Sequence, residues 1–151
     1  MIFLNCIPEK CEARRKECSQ IELLNKIAEY IEDETNDSIF YYEMAKLTPI
    51  PQAQALLVSF AQDEANHATN FKTLYRLLTG TNPPDIEIKQ PRINSIEEAV
   101  RQRIIAESED FKKYSIDYSN FHNPPICDLF YLTSIVEGQH AMRLTLLLEN
   151  C

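Results

Sequence analysis

The chain has 151 residues, of which 44% are hydrophobic and 25% charged, and its formal net charge is −8. This length suits a single domain with one sizeable core, and a composition with only two glycines favours an all-α fold. The negative charge argues against nucleic acid or an anionic membrane as the main partner, because both require a basic patch. It is compatible with the handling of cations, or with solubility alone.

The chain shows no signal for membrane insertion or export. No stretch approaches 18 uncharged apolar residues, the length that a transmembrane helix requires. The first residues, MIFLNCIPEK, contain only a short apolar run without a basic region before it, unlike a signal peptide. We therefore expect a cytoplasmic protein.

The cysteine pattern excludes the common cysteine-based metal centres. The five cysteines are Cys6, Cys11, Cys18, Cys127 and Cys151. No two of them form a C-x-x-C pair, so neither a zinc ribbon nor a rubredoxin-type iron centre can be built in the usual way. In a cytosolic chain we expect free thiols. Metal binding by the three N-terminal cysteines, or their pairing across a dimer, remains an alternative.

Hydrophobic periodicity predicts four helices after an N-terminal segment without a clear period. We interpret residues 1–18 as an arm of unknown form and residues 19–151 as one bundle. The helices are predicted over about 19–47, 52–79, 95–118 and 126–149. Capping boxes predict two of the helix starts, Ser19 with Glu22 and Ser95 with Glu98. Gly80 is a suitable C-terminal cap for the second helix.

The connection between the second and third helices is long enough to cross the whole bundle. Its sequence, GTNPPDIEIKQPRIN, has 15 residues, and 15 extended residues reach about 50 Å. A helix of about 25 residues is only roughly 38 Å long. The other two connections are short and predict antiparallel neighbours. The expected fold is a four-helix bundle of two antiparallel helical hairpins joined by a long crossover.

An internal repeat relates the two hairpins. The separation between Glu34 and Glu64 equals that between Glu107 and Glu137, so a single shift along the chain carries the first pair onto the second. This shift, called the repeat offset below, relates four further pairs: His67 and His140, Tyr41 and Tyr114, Asp37 and Asp110, and Pro51 and Pro124. Each half therefore reads Glu-x-x-Asp-x-x-x-Tyr on one helix and Glu-x-x-His on the next. Such self-similarity predicts two copies of one unit related by a pseudo-twofold axis.

Hairpin geometry predicts that these repeated residues converge. The midpoint of Glu34 and Glu64 is Pro49 in the first turn, and the midpoint of the second glutamate pair is His122 in the second turn. The two glutamates of each hairpin therefore lie level near the middle of their helices. Residues three apart share a helix face, so each Glu-x-x-His motif adds its histidine to the same layer. His122 itself is predicted to be a solvent-facing loop residue.

A layer of four carboxylates and two imidazoles in a bundle core predicts a metal centre. Four buried carboxylates would repel one another, and burying each would cost several kcal/mol. Two divalent cations balance four negative charges, with one imidazole for each ion. Mixed oxygen and imidazole ligands suit iron or manganese. The predicted metal ligands are Glu34, Glu64, His67, Glu107, Glu137 and His140.

This ligand pattern resembles that of the ferritin-like di-iron carboxylate superfamily and, within it, the rubrerythrin-like branch. The resemblance covers about residues 20–150. It implies a four-helix bundle that holds two iron ions, with Glu64 and Glu137 bridging or chelating them. It also implies redox chemistry, in which peroxide or dioxygen oxidises iron(II).

The resemblance also extends to two tyrosines and one aspartate outside the six ligands. It implies that Tyr41 and Tyr114 hydrogen-bond to ligand carboxylates and can donate to a bound peroxide, whereas the alternative is an ordinary core tyrosine. Asp110 stands where rubrerythrins place an extra glutamate ligand, but its side chain is one methylene shorter. For Asp110 and its repeat mate Asp37 we favour a solvated carboxylate or one that supports a ligand from behind.

One further aspartate has a role in only one half of the repeat. Related di-iron enzymes use an aspartate at the position of Asp63 to orient a histidine. The matching position in the second half is Val136. Any such role is therefore expected to be one-sided.

The function predicted from this resemblance is that of a rubrerythrin-like enzyme that reduces hydrogen peroxide. The chain shows no rubredoxin-like domain at either end, so an external donor protein is expected to supply the electrons. No fifth helix follows the bundle, which argues against a ferritin cage. The alternatives are a ferroxidase or iron-storage protein, a manganese catalase-like or oxygenase activity, and a bundle that acts only through protein contacts. The expected partners are hydrogen peroxide or dioxygen, the donor protein and a second copy of the chain.

Overall fold

A computed structural model of the protein describes residues 9–148, with side chains described from residue 20. All of its regular structure is helical, which confirms the all-α four-helix fold. The helices are α1 (Glu9–Leu47), α2 (Pro51–Thr79), α3 (Ile96–Asn120) and α4 (Pro124–Leu148). None of these described helices is long and apolar enough to cross a membrane. The predictions for Cys6, Cys11, Cys18 and Cys151 lie outside the described side chains.

The first helix begins earlier than the sequence predicted. α1 starts at Glu9, and Ser19 lies inside the helix rather than at its start. The predicted helix start at Ser19 was therefore wrong, whereas the division of the chain into an arm and a bundle stays a prediction. The segment EKCEARRKEC is rich in residues of high helix propensity, and it needs no apolar stripe to continue a helix that is anchored further on. Residues 1–8 lie outside the described part of the chain.

The other helix ends follow the predicted signals closely. Ser95 Oγ accepts a hydrogen bond from the Glu98 backbone N–H at 3.1 Å, as its capping box predicts. Gly80 adopts the left-handed conformation, with φ 73°, and its N–H bonds to Arg76 O. α4 begins at Pro124, two residues before the predicted start. Proline suits the first turn of a helix, where its missing N–H is not needed.

The two hairpins pack side by side into one bundle. α1 packs on α2 and α3 on α4, while α1 also lies beside α3 and α2 beside α4. α2 and α3 therefore lie diagonally across the bundle, which explains why their connection must be long. This crossover runs along α1, where Asn36 bonds to the backbone of Glu87 and Lys89. The Lys89 ammonium also pairs with Glu32 at 3.0 Å.

The apolar core consists of two clusters that lie on either side of the glutamate and histidine layer. One cluster contains Tyr41, Leu57 and Leu144, and the other contains Tyr114, Phe130 and Phe71. The repeat offset maps each of these three residues onto one in the other cluster. The bundle therefore has the pseudo-twofold relation that the repeat predicted, and the polar layer lies at its centre.

Candidate metal centre

The polar layer contains all six residues that the sequence predicted as ligands, and every one of them is at most 6% exposed. They form two groups that could hold a metal ion, and within each group the potential ligand atoms lie within 4.8 Å of one another. The first group is Glu34, Glu64, His67 and Glu137, and the second group is Glu64, Glu107, Glu137 and His140. Glu64 and Glu137 belong to both groups.

The two shared glutamates lie between the two histidines. Glu64 places Oε2 at 3.0 Å from His67 Nδ1 and Oε1 at 2.9 Å from His140 Nδ1. Glu137 places Oε1 at 2.9 Å from His67 Nδ1 and Oε2 at 3.5 Å from His140 Nδ1. Each shared carboxylate therefore presents one oxygen to each group. The ring centroids of the two histidines are 6.5 Å apart, so the two groups are immediate neighbours.

Unpartnered polar atoms indicate that this layer fits metal ions. Among the described side chains, four buried polar atoms lack a hydrogen-bond partner: Glu64 Oε1, Glu107 Oε2, Glu137 Oε1 and His140 Nδ1. All four belong to the second group. Buried polar groups without partners are costly and rare in native proteins. Carboxylate oxygens and an imidazole nitrogen that face one another without hydrogen-bond geometry are the donor set that iron, manganese or zinc accepts.

The two predicted tyrosines bond crosswise to the two unshared glutamates. The Tyr41 hydroxyl of α1 donates to Glu107 Oε1 of α3, and the Tyr114 hydroxyl of α3 donates to Glu34 Oε1 of α1. The other oxygen of each glutamate faces a histidine, with Glu34 Oε2 at 3.2 Å from His67 Nδ1 and Glu107 Oε2 at 3.5 Å from His140 Nδ1. Each unshared glutamate therefore keeps one oxygen for a metal ion.

Asp63 occupies the supporting position that the sequence suggested. Its carboxylate lies 3.1 Å from His140 Nε2. An Nε2–H that donates to Asp63 leaves the Nδ1 lone pair directed at the shared glutamates, which is the tautomer that binds a metal. Because Val136 replaces this aspartate in the second half, the support is given to His140 alone.

The remaining predicted residues lie outside both groups. The Asp110 carboxylate pairs with Lys113 Nζ at 2.5 Å, so the structure does not bring this possible extra ligand into the layer. Its shorter side chain lies on the side of α3 that faces the lysine. Asp37 accepts two hydrogen bonds from Arg103, at 2.8 and 2.7 Å. His122 is exposed in the second turn, as expected.

Arg103 is a residue of this site that the sequence analysis missed. It is 9% exposed and donates to Glu107 Oε1 at 2.5 Å and to the Tyr41 hydroxyl at 3.3 Å, in addition to Asp37. The signal was its position four residues before Glu107, which places both on one helix face. The repeat concealed it, because the matching residue in the first half is Tyr30.

In the metal-free protein, bound protons compensate the negative charges of the glutamates in this layer. Burial raises the pKa of Glu64, and burial together with the charge of Glu64 raises the pKa of Glu137 well above its usual range. Burial acts to lower the pKa of His140, but the carboxylates of Glu107, Glu137 and Glu64 beside its Nδ1 outweigh this and raise that pKa to about 12. The pKa of His67 is raised in the same way by Glu137, Glu34 and Glu64. Metal ions must therefore displace protons from this layer.

Glu107 differs from the shared glutamates. Burial acts to raise the pKa of Glu107, but the adjacent His140 imidazole and the positive charge of Arg103 hold it well below the usual range. This carboxylate therefore stays ionised when the shared glutamates take up protons. Arg103 is one source of this difference, and the matching position in the first half of the repeat is Tyr30, which carries no positive charge.

No protein-family model matches the chain, and no curated protein matches it either. The residues of the site and their geometry are therefore what indicates its function.

Replacing Arg103 by methionine is expected to destabilise the metal-free protein by about 3–5 kcal/mol, because the buried Glu107 and the half-buried Asp37 would lose their positively charged partner. Arg101 provides a matched control on the same helix, since it pairs with Glu97 at the surface and is 62% exposed. Replacing Arg101 by methionine should cost at most about 1 kcal/mol. Urea unfolding of the two variants measures both effects, and equal losses would contradict a structural role for the buried network.

Proposed function

We propose that the protein is a ferritin-like di-iron redox protein of the rubrerythrin-like branch that reduces hydrogen peroxide with electrons from an external donor. The observation that carries this proposal is the position of Glu64 and Glu137 between the two histidines. A carboxylate that offers one oxygen to each of two adjacent groups supports a pair of ions rather than two separate ones. The four glutamates and two histidines are the pattern of that superfamily.

The proposal that iron is the native metal follows from the ligand types and the charge balance. Glutamate and histidine ligands suit iron and manganese, whereas soft thiolate ligands, which are lacking in both groups, select other metals. Reduction of hydrogen peroxide to two molecules of water takes up two electrons and two protons. When bound, a pair of iron(II) ions supplies Lewis acidity and both electrons.

The residues around the layer position the ligands and keep bulk water out. Tyr41 and Tyr114 each fix one oxygen of an unshared glutamate, so that only its second oxygen is free. Asp63 holds the ring of His140, and the Phe60 ring packs against that histidine with centroids 4.3 Å apart. The two apolar clusters close the layer from both ends. In this proposal a tyrosine hydroxyl would donate to the peroxide substrate only by giving up its bond to the glutamate, because a phenol has a single proton to donate.

The external donor is part of the proposal because the described chain offers no second redox centre. Cys127 is the only cysteine among the described side chains, and it is free. Its thiol bonds to the Phe121 carbonyl at 3.0 Å, at the start of α4 and outside the polar layer. Each turnover would therefore need electrons from another protein or a small reductant.

The reduced, iron-loaded protein is expected to be oxidised faster by hydrogen peroxide than by dioxygen, and to turn over only when an electron donor is present. Stopped-flow mixing with each oxidant measures the order of the two rates, and Asn66→Ala, an exposed residue on the same helix as Glu64, provides a control variant. Faster oxidation by dioxygen with growth of a ferric mineral would instead indicate iron storage. Release of dioxygen from peroxide without any donor, with manganese as the loaded metal, would indicate a catalase.

A further inference from the structure

The outer face of α4 carries a group of exposed apolar side chains, with the polar Gln139 among them. Tyr131, Leu132, Ile135 and Met142 are between 38% and 66% exposed. They follow helical spacing on the side opposite the ligands Glu137 and His140. A helix in a four-helix bundle normally buries one stripe, and a helix that is apolar all round is usually covered on its other side as well.

Two aromatic residues of α3 border this face and contact it. The Tyr118 ring contacts the Tyr131 ring, with centroids 5.4 Å apart. The Phe111 ring lies against Gly138, where an added Cβ would meet it at 3.2 Å. These six side chains, Phe111, Tyr118, Tyr131, Leu132, Ile135 and Met142, are called the α4 face below. At their observed exposures they leave on the order of 600 Å² of apolar surface open, which is at the upper limit for a typical monomer.

The internal repeat provides a comparison within the same chain. The residues of α2 that match Tyr131, Leu132, Ile135 and Met142 at the repeat offset are Val58, Ser59, Gln62 and Thr69. α2 belongs to the same kind of hairpin and carries the same Glu-x-x-His motif, yet its outer face is mostly polar. The fold and the metal layer therefore do not require an apolar outer face on this helix. Something specific to the second hairpin must explain it.

We propose that the α4 face is the contact surface between two copies of this chain in a symmetric dimer. About 800 Å² from each partner is the usual size of a stable interface, of which up to roughly 65% is apolar, so the apolar area of the α4 face matches one side of such an interface. In a twofold arrangement each α4 would run antiparallel to its copy. Ile135 and Met142, on either side of Gly138, would then contact each other across the axis.

A second copy fits this surface better than an electron-donor protein does. A donor must leave after each turnover, and redox partners usually form small interfaces. The α4 face would then be exposed for most of the time, which favours aggregation. A second copy of the chain is always present at the right stoichiometry. Phe111, which lies against Gly138 near the middle of the face, is of the aromatic class that is enriched at stable interfaces.

The test is the mass of the protein in solution and its response to a swap of matched residues. The wild-type protein should have twice the 17.5 kDa chain mass at micromolar concentration, measured by light scattering after gel filtration. The double variant Ile135→Gln, Met142→Thr introduces the residues that α2 carries at these positions, and it should run as a monomer with unchanged helical circular dichroism. The matched control, Gln62→Ala with Thr69→Ala on α2, should remain a dimer.

A monomeric wild-type protein, a double variant that stays dimeric, or dissociation of the α2 control to the same extent would each overturn the proposal. If the double variant loses helical structure, the single variant Met142→Thr takes its place, because that side chain is 66% exposed and outside the core. It should weaken the dimer at least tenfold. An unchanged dissociation constant for that variant would overturn the proposal too.

Discussion

Replacing Glu137 by glutamine is expected to abolish the binding of both metal ions while leaving the fold intact. Glu137 belongs to both groups of potential ligands, with one oxygen facing each histidine. An amide keeps the shape of the side chain but offers only one oxygen and no charge. The wild-type protein should bind two ions per chain, and the variant none at the concentration of iron(II) that saturates the wild type.

Replacing an unshared glutamate should change the metal stoichiometry differently from replacing a shared one. Glu34 belongs to the first group only. The Glu34→Gln variant should therefore bind one of the two ions 100-fold or more weakly and retain about one ion per chain. Its Oε1 accepts from Tyr114 in the wild type, and an amide oxygen can still accept there. Metal analysis after equilibrium dialysis measures the stoichiometry, with Asn66→Ala as the control. If Glu137→Gln and Glu34→Gln lost the same number of metal ions per chain, the shared arrangement of Glu64 and Glu137 would be contradicted.

Metal binding is expected to raise the thermal stability of the protein strongly at neutral and alkaline pH, and much less at pH 5. Two sites that are each saturated at 100 times the dissociation constant would add about 5 kcal/mol, which corresponds to about 10 °C or more for a chain of this size. Bound protons compete with the metal, because Glu137 and the two histidines hold protons in the metal-free protein. The gain should therefore shrink as the pH falls.

The metal-free protein should show the opposite dependence on pH. The folded-state pKa values of Glu64, Glu137, His67 and His140 are raised. The folded state therefore binds more protons than the unfolded state, and the stability from these groups is complete below their unfolded pKa values and is lost as the pH rises. For His140 the loss extends from about pH 6.5, the unfolded value, towards about 12. The pKa of Glu107 is lowered in the folded state, so its contribution to stability is lost as the pH falls below about 4.5.

Thermal melts with and without iron(II) between pH 5 and pH 8 measure both trends. The Glu137→Gln variant separates them. Because the pKa of Glu137 is raised well above its usual range, glutamine resembles the form that this residue adopts in the metal-free protein. The variant should therefore be at least as stable as the wild type without metal, and it should gain nothing from iron(II). A metal-independent melting temperature in the wild type would contradict a preformed site.

The sequence alone determined the number of helices, their pairing and the six residues of the central layer. These features could be predicted because each half of the chain repeats Glu, Glu and His at the same spacing. The short turn within each hairpin then brings the two glutamates to the same height in the bundle. Helix caps at Ser95 and Gly80 were also local signals, and both are confirmed. Local chemistry of this kind depends only on neighbours in the chain.

Only the tertiary structure decided which atoms face one another. That Glu64 and Glu137 each present one oxygen to each histidine depends on side-chain directions across four helices, and so do the crosswise bonds of Tyr41 and Tyr114. Arg103 has no repeat mate, so its role emerged only when α1 and α3 were placed side by side. Asp110 was a candidate by its spacing, but Lys113 on the same helix pairs with it outside the layer. Sequence spacing determines the height of a residue in a bundle, whereas its partners are determined by the packing of helices that are distant in the chain.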